Sequence, residues 1–421
     1  MTDIQLPYGK TTLKATIPDT YSVTQLLPAQ VVAAENPLEV VQQALDNPIG
    51  GKLLDDFTEI QSVAIAINDK TRPVPHQHLL PPLLEKLAAM GIQPDNIHLI
   101  IATGTHPVMP PEEYAWILPD DIIATYPIHC HDGYADETHE YLGETSRGTP
   151  VYINKHYMQA DLKIVIGNID PHQFQGFSGG VKSAAIGLAG AKTINHNHAM
   201  MTDAASRLGE YADNPARQDV EAIGRIIGVD FAVNALLNSK KQIVEVFAGD
   251  PYAVMEAAIP RVKALYQLAL DAPFDLMLVS PGGYPKDLNV YQTQKGMAHA
   301  ALATKKGGTM ILCAACPEGT GSDKYEKWIM NDAMNSHEAV IAEFTNQGFQ
   351  VGPHKAFQIS RDAADLTILL LSEMQSDFVE KLLLHPISDL QAAIDSVLPD
   401  LPSDARIGVL PSANSTIPVV G

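Results

Sequence analysis

The sequence predicts two α/β domains with mainly parallel sheets and a cleft between them. Three observations lead there. Continuously apolar runs such as "VAIAI" (Val63–Ile67), "IHLIIA" (Ile97–Ala102) and "LKIVIG" (Leu162–Gly167) alternate with segments whose leucines recur at helical spacing. Such runs are strands buried on both faces, as in a parallel sheet covered by helices. The same pattern restarts with "DLMLVS" (Asp275–Ser280), "TMILCA" (Thr309–Ala314), "LTILLL" (Leu366–Leu371) and "RIGVL" (Arg406–Leu410). At 421 residues the chain also exceeds one ordinary core.

Taken in order, "HQHLLPPLLEKLAAMG" (His76–Gly91) reads as a helix closed by glycine, and another helix is expected to open near "MPPEEYAWI" (Met109–Ile117). A helical stretch ending near Leu270 closes the first half, and the junction falls around Gln267–Pro273. Residues 1–268 are expected to form an N-terminal domain, and 269–405 a C-terminal domain closing over the substrate. Residues 406–421 are expected to be a tail returning to the first domain.

Composition narrows the functional classes. The formal net charge is −21, and no basic stripe exists to bind nucleic acid or an anionic membrane. A small anion remains possible, because it answers to a local cationic pocket. The N-terminus carries no signal pattern, and the apolar runs are too short to span a bilayer. Three cysteines make no disulfide framework, so a cytoplasmic location is expected. "CAAC" (Cys313–Cys316) ends a strand and runs into Pro317, which favours structural thiols over a redox pair.

The first three strands each run straight into a polar loop: "NDKTR" (Asn68–Arg72), "TGTH" (Thr103–His106) and "NIDPHQFQGFSGGVKS" (Asn168–Ser183). Carboxyl ends of parallel strands are where open α/β sheets gather ligands. In the third loop Val181 separates Gly180 from Lys182, which breaks the spacing of a phosphate-binding P-loop. A lysine beside a glycine pair can instead act as a nucleophilic amine or a covalent tether. His106 and His172 suit proton transfer near neutral pH. His196 and His198 on a helix point to different faces, so at most one would be a metal ligand, and a cofactor would supply the rest. Arg72 offers a fork for a carboxylate, with Asp69 as its plain ion-pair alternative. "DLNVYQTQKG" (Asp287–Gly296) groups Tyr291, Gln292 and Lys295, which could close over an anion or simply start a helix. "HCHDG" (His129–Gly133) with His139 reads more simply as a polar loop than as a metal site.

With "DKTRP", "TGTH", "PHQFQGFSGGVKS", Asn197–His198 and "NVYQTQKG" in this order, the chain resembles the nickel-pincer lactate racemase family over nearly its whole length. The resemblance implies racemisation or epimerisation of a small 2-hydroxy acid. It implies nickel held by pyridinium-3,5-bisthiocarboxylic acid mononucleotide, tethered to Lys182 through a thioamide, with His198 as the one protein ligand. By the same resemblance His106 and His172 are the acid–base pair, and Arg72 and Lys295 meet the substrate carboxylate. Tyr291 and Gln292 are their pocket neighbours. Asp69, Thr71, Ser178, Gly179 and Gly180 lie on the cofactor side, and cofactor-biosynthesis proteins are transient partners. Where the lactate enzyme has a late tryptophan this chain reads "GPHKAFQISR" (Gly352–Arg361), so His354 and Lys355 make that wall more polar and favour a larger or second-carboxylate hydroxy acid.

The chemistry needs two bases. Removing the α-hydrogen as a proton would put carbanion charge beside a carboxylate, whereas removing it as hydride, while a base takes the hydroxyl proton, leaves a neutral ketone. Opposite enantiomers present their hydroxyls on opposite sides, so one histidine serves each. Two other readings stand beside this one: a hydroxyacid oxidoreductase, for which no G-x-G-x-x-G follows an early strand, and a non-enzymatic nickel-binding protein.

Overall fold

Backbone pairing divides the chain differently from the order in which it is read. The computed structural model describes residues 1–421 and resolves them into two compact units, Gln30–Ala264 and Met1–Ala29 with Leu265–Gly421.

In the Gln30–Ala264 unit the strands stand in the order Ile243–Gly249, Phe231–Leu237, Leu162–Asn168, Val63–Asn68, Ile97–Ala102, Ile128–Cys130. All neighbours are parallel except the antiparallel pair at the Ile243–Gly249 edge. Alternation assigns the faces. Ile65 and Ile67 join the core that holds Leu79, Leu83 and Leu87, whereas Ala64 and Ala66 face the core of Val181, Val220 and Ile223. The chain steps outward from Val63–Asn68 to Ile97–Ala102 and Ile128–Cys130, then returns to place Leu162–Asn168 on the other side. The reversal opens a crevice at the carboxyl ends of Val63–Asn68 and Leu162–Asn168, the topological switch point of such a sheet.

The other unit carries a fully parallel sheet in the order His385–Ile387, Thr367–Leu371, Thr304–Cys313, Phe274–Val279, Arg406–Leu410, Ser22–Gln25. Its switch point lies between Phe274–Val279 and Arg406–Leu410. The expected return of residues 406–421 to the first domain is therefore corrected. Arg406–Leu410 is an interior strand bonded on both edges, and Ile417–Val420 pairs with Gln267–Leu270. The first 29 residues belong to this unit too, through the short polar strand Ser22–Gln25.

Two local expectations also change. The helix Pro251–Tyr266 stops before Gln267–Leu270, which is a strand. Around Met109–Ile117 the chain makes only a 3₁₀ turn, Pro111–Trp116, before the short helix Asp120–Thr125; successive prolines reset the backbone there. No helix is long and apolar enough to cross a membrane. All three cysteines are free, and burial pushes the Cys313 and Cys316 thiols up to about 12, which suits structural rather than redox roles.

Two glycines with nearly the same φ separate backbone strain from steric contact. Gly228 (φ +70) closes the helix Pro215–Ile227 and has open space around a hypothetical Cβ, whereas at Gly176 (φ +69) that atom would lie 1.6 Å from the Glu210 carbonyl oxygen. Gly228→Ala should cost about 1 kcal/mol, the strain of a left-handed residue alone. Gly176→Ala should cost about 3 kcal/mol or more and displace the His172–Lys182 loop. Denaturant unfolding of both variants checks this, and equal losses would contradict the contact.

Candidate functional site

The loop after Val63–Asn68 is organised by a buried acid. Asp69 is 2% exposed and accepts the Thr71 hydroxyl (2.7 Å) and amide (3.2 Å) on one oxygen and His106 Nδ1 (2.7 Å) on the other. Burial acts to raise its pKa, but these hydrogen bonds and the charges of His106 and Arg72 outweigh that and hold the carboxyl below its ordinary value. An ionised carboxylate only accepts, so Nδ1 of His106 carries hydrogen and Nε2 is left with its lone pair when the ring is neutral. Asp69 thus backs the histidine of the neighbouring loop, rather than forming the bland surface pair with Arg72. Arg72 is exposed and donates to Thr71 Oγ1 at 3.1 Å.

The glycine loop is tied down from within. Ser178 Oγ donates to the Asn168 and Asp170 carbonyls and accepts the Asp170 amide. Gly179 and Gly180 both have positive φ, and added Cβ atoms would lie 2.5 Å from Ile169 Cγ1 and 2.6 Å from Met255 Cγ. The Gly180 amide is engaged by Asn234 Oδ1 at 2.7 Å. These glycines therefore allow close internal packing, and the Gly180 amide is not aimed outward at a ligand. The sequence also left Arg217 unremarked. It is fully buried, pairs with Glu221, and donates to the carbonyls of Phe177 (3.0 Å) and Gly179 (3.1 Å). Its i, i+4 spacing from Glu221 was the one available signal, and that looks like any surface helix pair.

Lys182 opens the short helix Lys182–Ala185 at the switch point. The amine meets no carboxylate; burial, then the guanidinium charges of Arg72 and Arg217, push its pKa well below the ordinary amine value. This brings together the loops of Arg72 and Lys182 and favours a neutral, nucleophilic amine.

His172 and His198 flank one aromatic ring. Each meets Phe174 edge-on with centroids 4.9 Å apart. His172 Nδ1 accepts the Gln175 amide (3.3 Å), so the neutral ring carries its proton on Nε2. His198, on the helix Ala191–Ala199, contacts Asn197 Oδ1 through Nδ1 at 3.1 Å. His196 faces Thr149 instead (2.8 Å), so the two helix histidines do diverge. His131 and His139 bond to backbone carbonyls of Ala189 and Asp132, which accounts for them as structural. No three His, Cys, Asp or Glu side chains gather as a metal cage anywhere in the chain.

In the other unit, the helix Val290–Ala301 begins at Asn289, whose side chain accepts the Gln292 amide (3.0 Å). Lys295 Nζ donates to Gln292 Oε1 at 2.7 Å. Tyr291 OH lies 3.3 Å from His354 Nε2, and Lys355 Nζ sits 4.4 Å from the Tyr291 ring centre while donating to Gln294 Oε1 at 2.9 Å. Burial lowers the Lys355 pKa well below the ordinary amine value, with the Lys295 charge next in importance. Burial, then the Lys355 charge, lowers His354 to about 3. Tyr291, His354 and Lys355 thus form one buried polar and aromatic group in which burial disfavours the charged forms of His354 and Lys355.

These loops and this helix fall inside two family matches: the lactate racemase N-terminal domain over residues 8–209 and the lactate racemase C-terminal domain over residues 270–418. The chain belongs to the lactate racemase family. It is 35% identical to the lactate racemase of Lactiplantibacillus plantarum over 77% of each chain, and 28% identical to that of Thermoanaerobacterium thermosaccharolyticum over 99% of each. The apoprotein structure of the latter superposes with a TM-score of 0.89, covering 99% of this chain and 100% of that one. A Thermotoga maritima protein, 16% identical with a TM-score of 0.65 over 94% of this chain and 100% of its own, shares the fold.

The amine chemistry is open to test in the family's apoprotein state. At neutral pH a limiting amount of an amine-acylating reagent should modify Lys182 ahead of the exposed lysines, as read by peptide mass spectrometry. Arg72→Leu removes a neighbouring cation, so the amine pKa rises, less free base is present and labelling slows several-fold. Faster labelling in the variant would reverse the sign of the argument.

Proposed function

We propose that the protein interconverts the enantiomers of a 2-hydroxy carboxylic acid, using a nickel-bearing pyridinium dithiocarboxylate mononucleotide tethered to Lys182. The observation that carries this reading is the acid-free amine at the switch point, pressed towards its neutral form by burial and two guanidiniums. A permanently charged lysine would bind an anion but would not form an acyl-type link. The donor set fits the same group. With no protein cage for a metal, His198 supplies at most one ligand, so nickel would need a cofactor that brings its own donors.

When bound, that group supplies a centre that takes up the α-hydrogen as hydride and returns it. The chain's residues do the rest. Arg72 supplies a carboxylate-binding fork in its unit, and Lys295, with Tyr291 and Gln292 beside it, supplies the substrate-binding cation of the other. His106, backed by Asp69, accepts the hydroxyl proton at Nε2 from one enantiomer and gives it back. His172 does the same for the other, once Nδ1 exchanges its Gln175 hydrogen bond for a proton and frees Nε2. Ser178, Gly179 and Gly180 hold the loop that aims Lys182. His354 and Lys355 give the wall hydrogen-bonding groups beside Tyr291, which favours a 2-hydroxy acid larger and more polar than lactate.

Two measurements test this. Protein purified from a host able to make the cofactor should carry a cofactor-sized mass on Lys182 together with nickel, and Lys182→Ala should carry neither. An unmodified mass in an actively racemising preparation would remove the tether. His106→Ala and His172→Ala should each lower racemisation from both enantiomers by about 10²–10⁴-fold, followed by chiral chromatography. A variant with full activity would make that histidine structural.

A further inference from the structure

The mechanism leaves the buried acid Asp219 unused. Asp219 is 1% exposed, on the helix Pro215–Ile227, and receives three donors: the Thr145 hydroxyl (2.6 Å), the Thr149 hydroxyl (2.8 Å) and Asn197 Nδ2 (3.0 Å). Two of these donors lie around the turn between strands His139–Glu144 and Pro150–Asn154, and the third is the residue before His198. A primary amide can sit in its pocket two ways round, and only its partners choose between them. At Asn197 the choice is forced. Nδ2 faces the acceptors Asp219 Oδ2 and the Ala216 carbonyl (2.9 Å), so Oδ1 must face Gln175 Nε2 (2.8 Å) and His198 Nδ1 (3.1 Å). A carbonyl oxygen only accepts. His198 therefore holds hydrogen on Nδ1.

We propose that Asp219 is a positioning residue: acting through the Asn197 amide, it fixes the protonated nitrogen of His198 at Nδ1 and leaves Nε2 as the lone-pair donor. The proposal rests on the reading of His198 as the protein's nickel ligand for its consequence, though not for its geometry. A metal-bound histidine needs its second nitrogen held by an acceptor, which sets both the ring's orientation and the nitrogen it offers. Here the acceptor is an amide oxygen, and the Asp219 carboxylate, beside the Ala216 carbonyl, orients it from the far side of the amide. His196 follows the same logic on the other side. The Thr149 hydroxyl spends its proton on Asp219, so its lone pair accepts from His196 Nδ1 at 2.8 Å. Asp219 thereby sets the donor sense of both histidines on the Ala191–Ala199 helix.

The apoprotein tests the geometry directly. In ¹⁵N- and ¹³C-labelled protein, with the His198 ring assigned by comparison with His198→Gln, the neutral ring should be the Nδ1–H form. Asp219→Asn puts a group that can donate where only an acceptor stood, and should mix the two tautomers. In cofactor-loaded protein the same substitution should speed nickel loss to a chelator by about 10–100-fold. A wild-type ring protonated on Nε2 would overturn the proposal without needing any variant to fold. So would a folded Asp219→Asn protein that keeps a pure Nδ1–H ring. If the tautomer changes as expected but His198→Gln retains nickel like the wild type, the positioning by Asp219 stands and the ligand reading of His198 falls.

Discussion

The buried guanidinium of Arg217 is the interaction on which the site depends. It lies under the loop that carries His172, Ser178 and Lys182 and holds the Phe177 and Gly179 carbonyls, while its charge is met by Glu221 at 2.6 Å. Tyr211 adds a hydroxyl to the same Glu221 oxygen at 3.0 Å. A buried pair of this kind adds little net stability over an apolar pair, but losing either member leaves an uncompensated charge and costs about 3–5 kcal/mol. Its value here is geometric. A loop with left-handed Gly176, Gly179 and Gly180 has many shapes open to it, and the directional N–H donors of the guanidinium select one. The same cation acts on Lys182, so the group that shapes the loop also tunes the amine it presents.

Much of this was legible in the sequence because it follows from local pattern. Uninterrupted apolar runs marked the strands, and polar loops at their ends marked the rim, as the paired order of Val63–Asn68, Ile97–Ala102 and Leu162–Asn168 bears out. What escaped was held by distant partners. Arg217, Asn234 and Asp219 lie on elements other than the loops they brace, and each resembles an ordinary polar residue until the fold delivers its partners. Ser22–Gln25 is too short and polar to read as a strand, and it becomes one only because Arg406–Leu410 offers an open edge. The tail followed the same rule: an interior strand position is decided by unpaired backbone groups on its neighbours, and residue type alone does not show it.

Three histidines with the same intrinsic chemistry are set apart by the group behind each ring. His106 has a carboxylate at Nδ1, His172 a backbone amide and His198 an amide oxygen. The carboxylate keeps hydrogen on Nδ1 of His106 and leaves Nε2 with its lone pair, the sense that the proposed proton acceptor requires. The amide N–H at His172 selects the opposite tautomer, with hydrogen on Nε2 of the neutral ring. The neutral oxygen at His198 orients the ring without adding charge, as would suit the metal ligand proposed there. A proton donor, a charged acceptor and a neutral acceptor thus divide one side-chain type into three kinds of group. Because the division is made by partners and not by the rings, it would be altered by substitutions at Asp69 or Asn197 that leave every histidine in place.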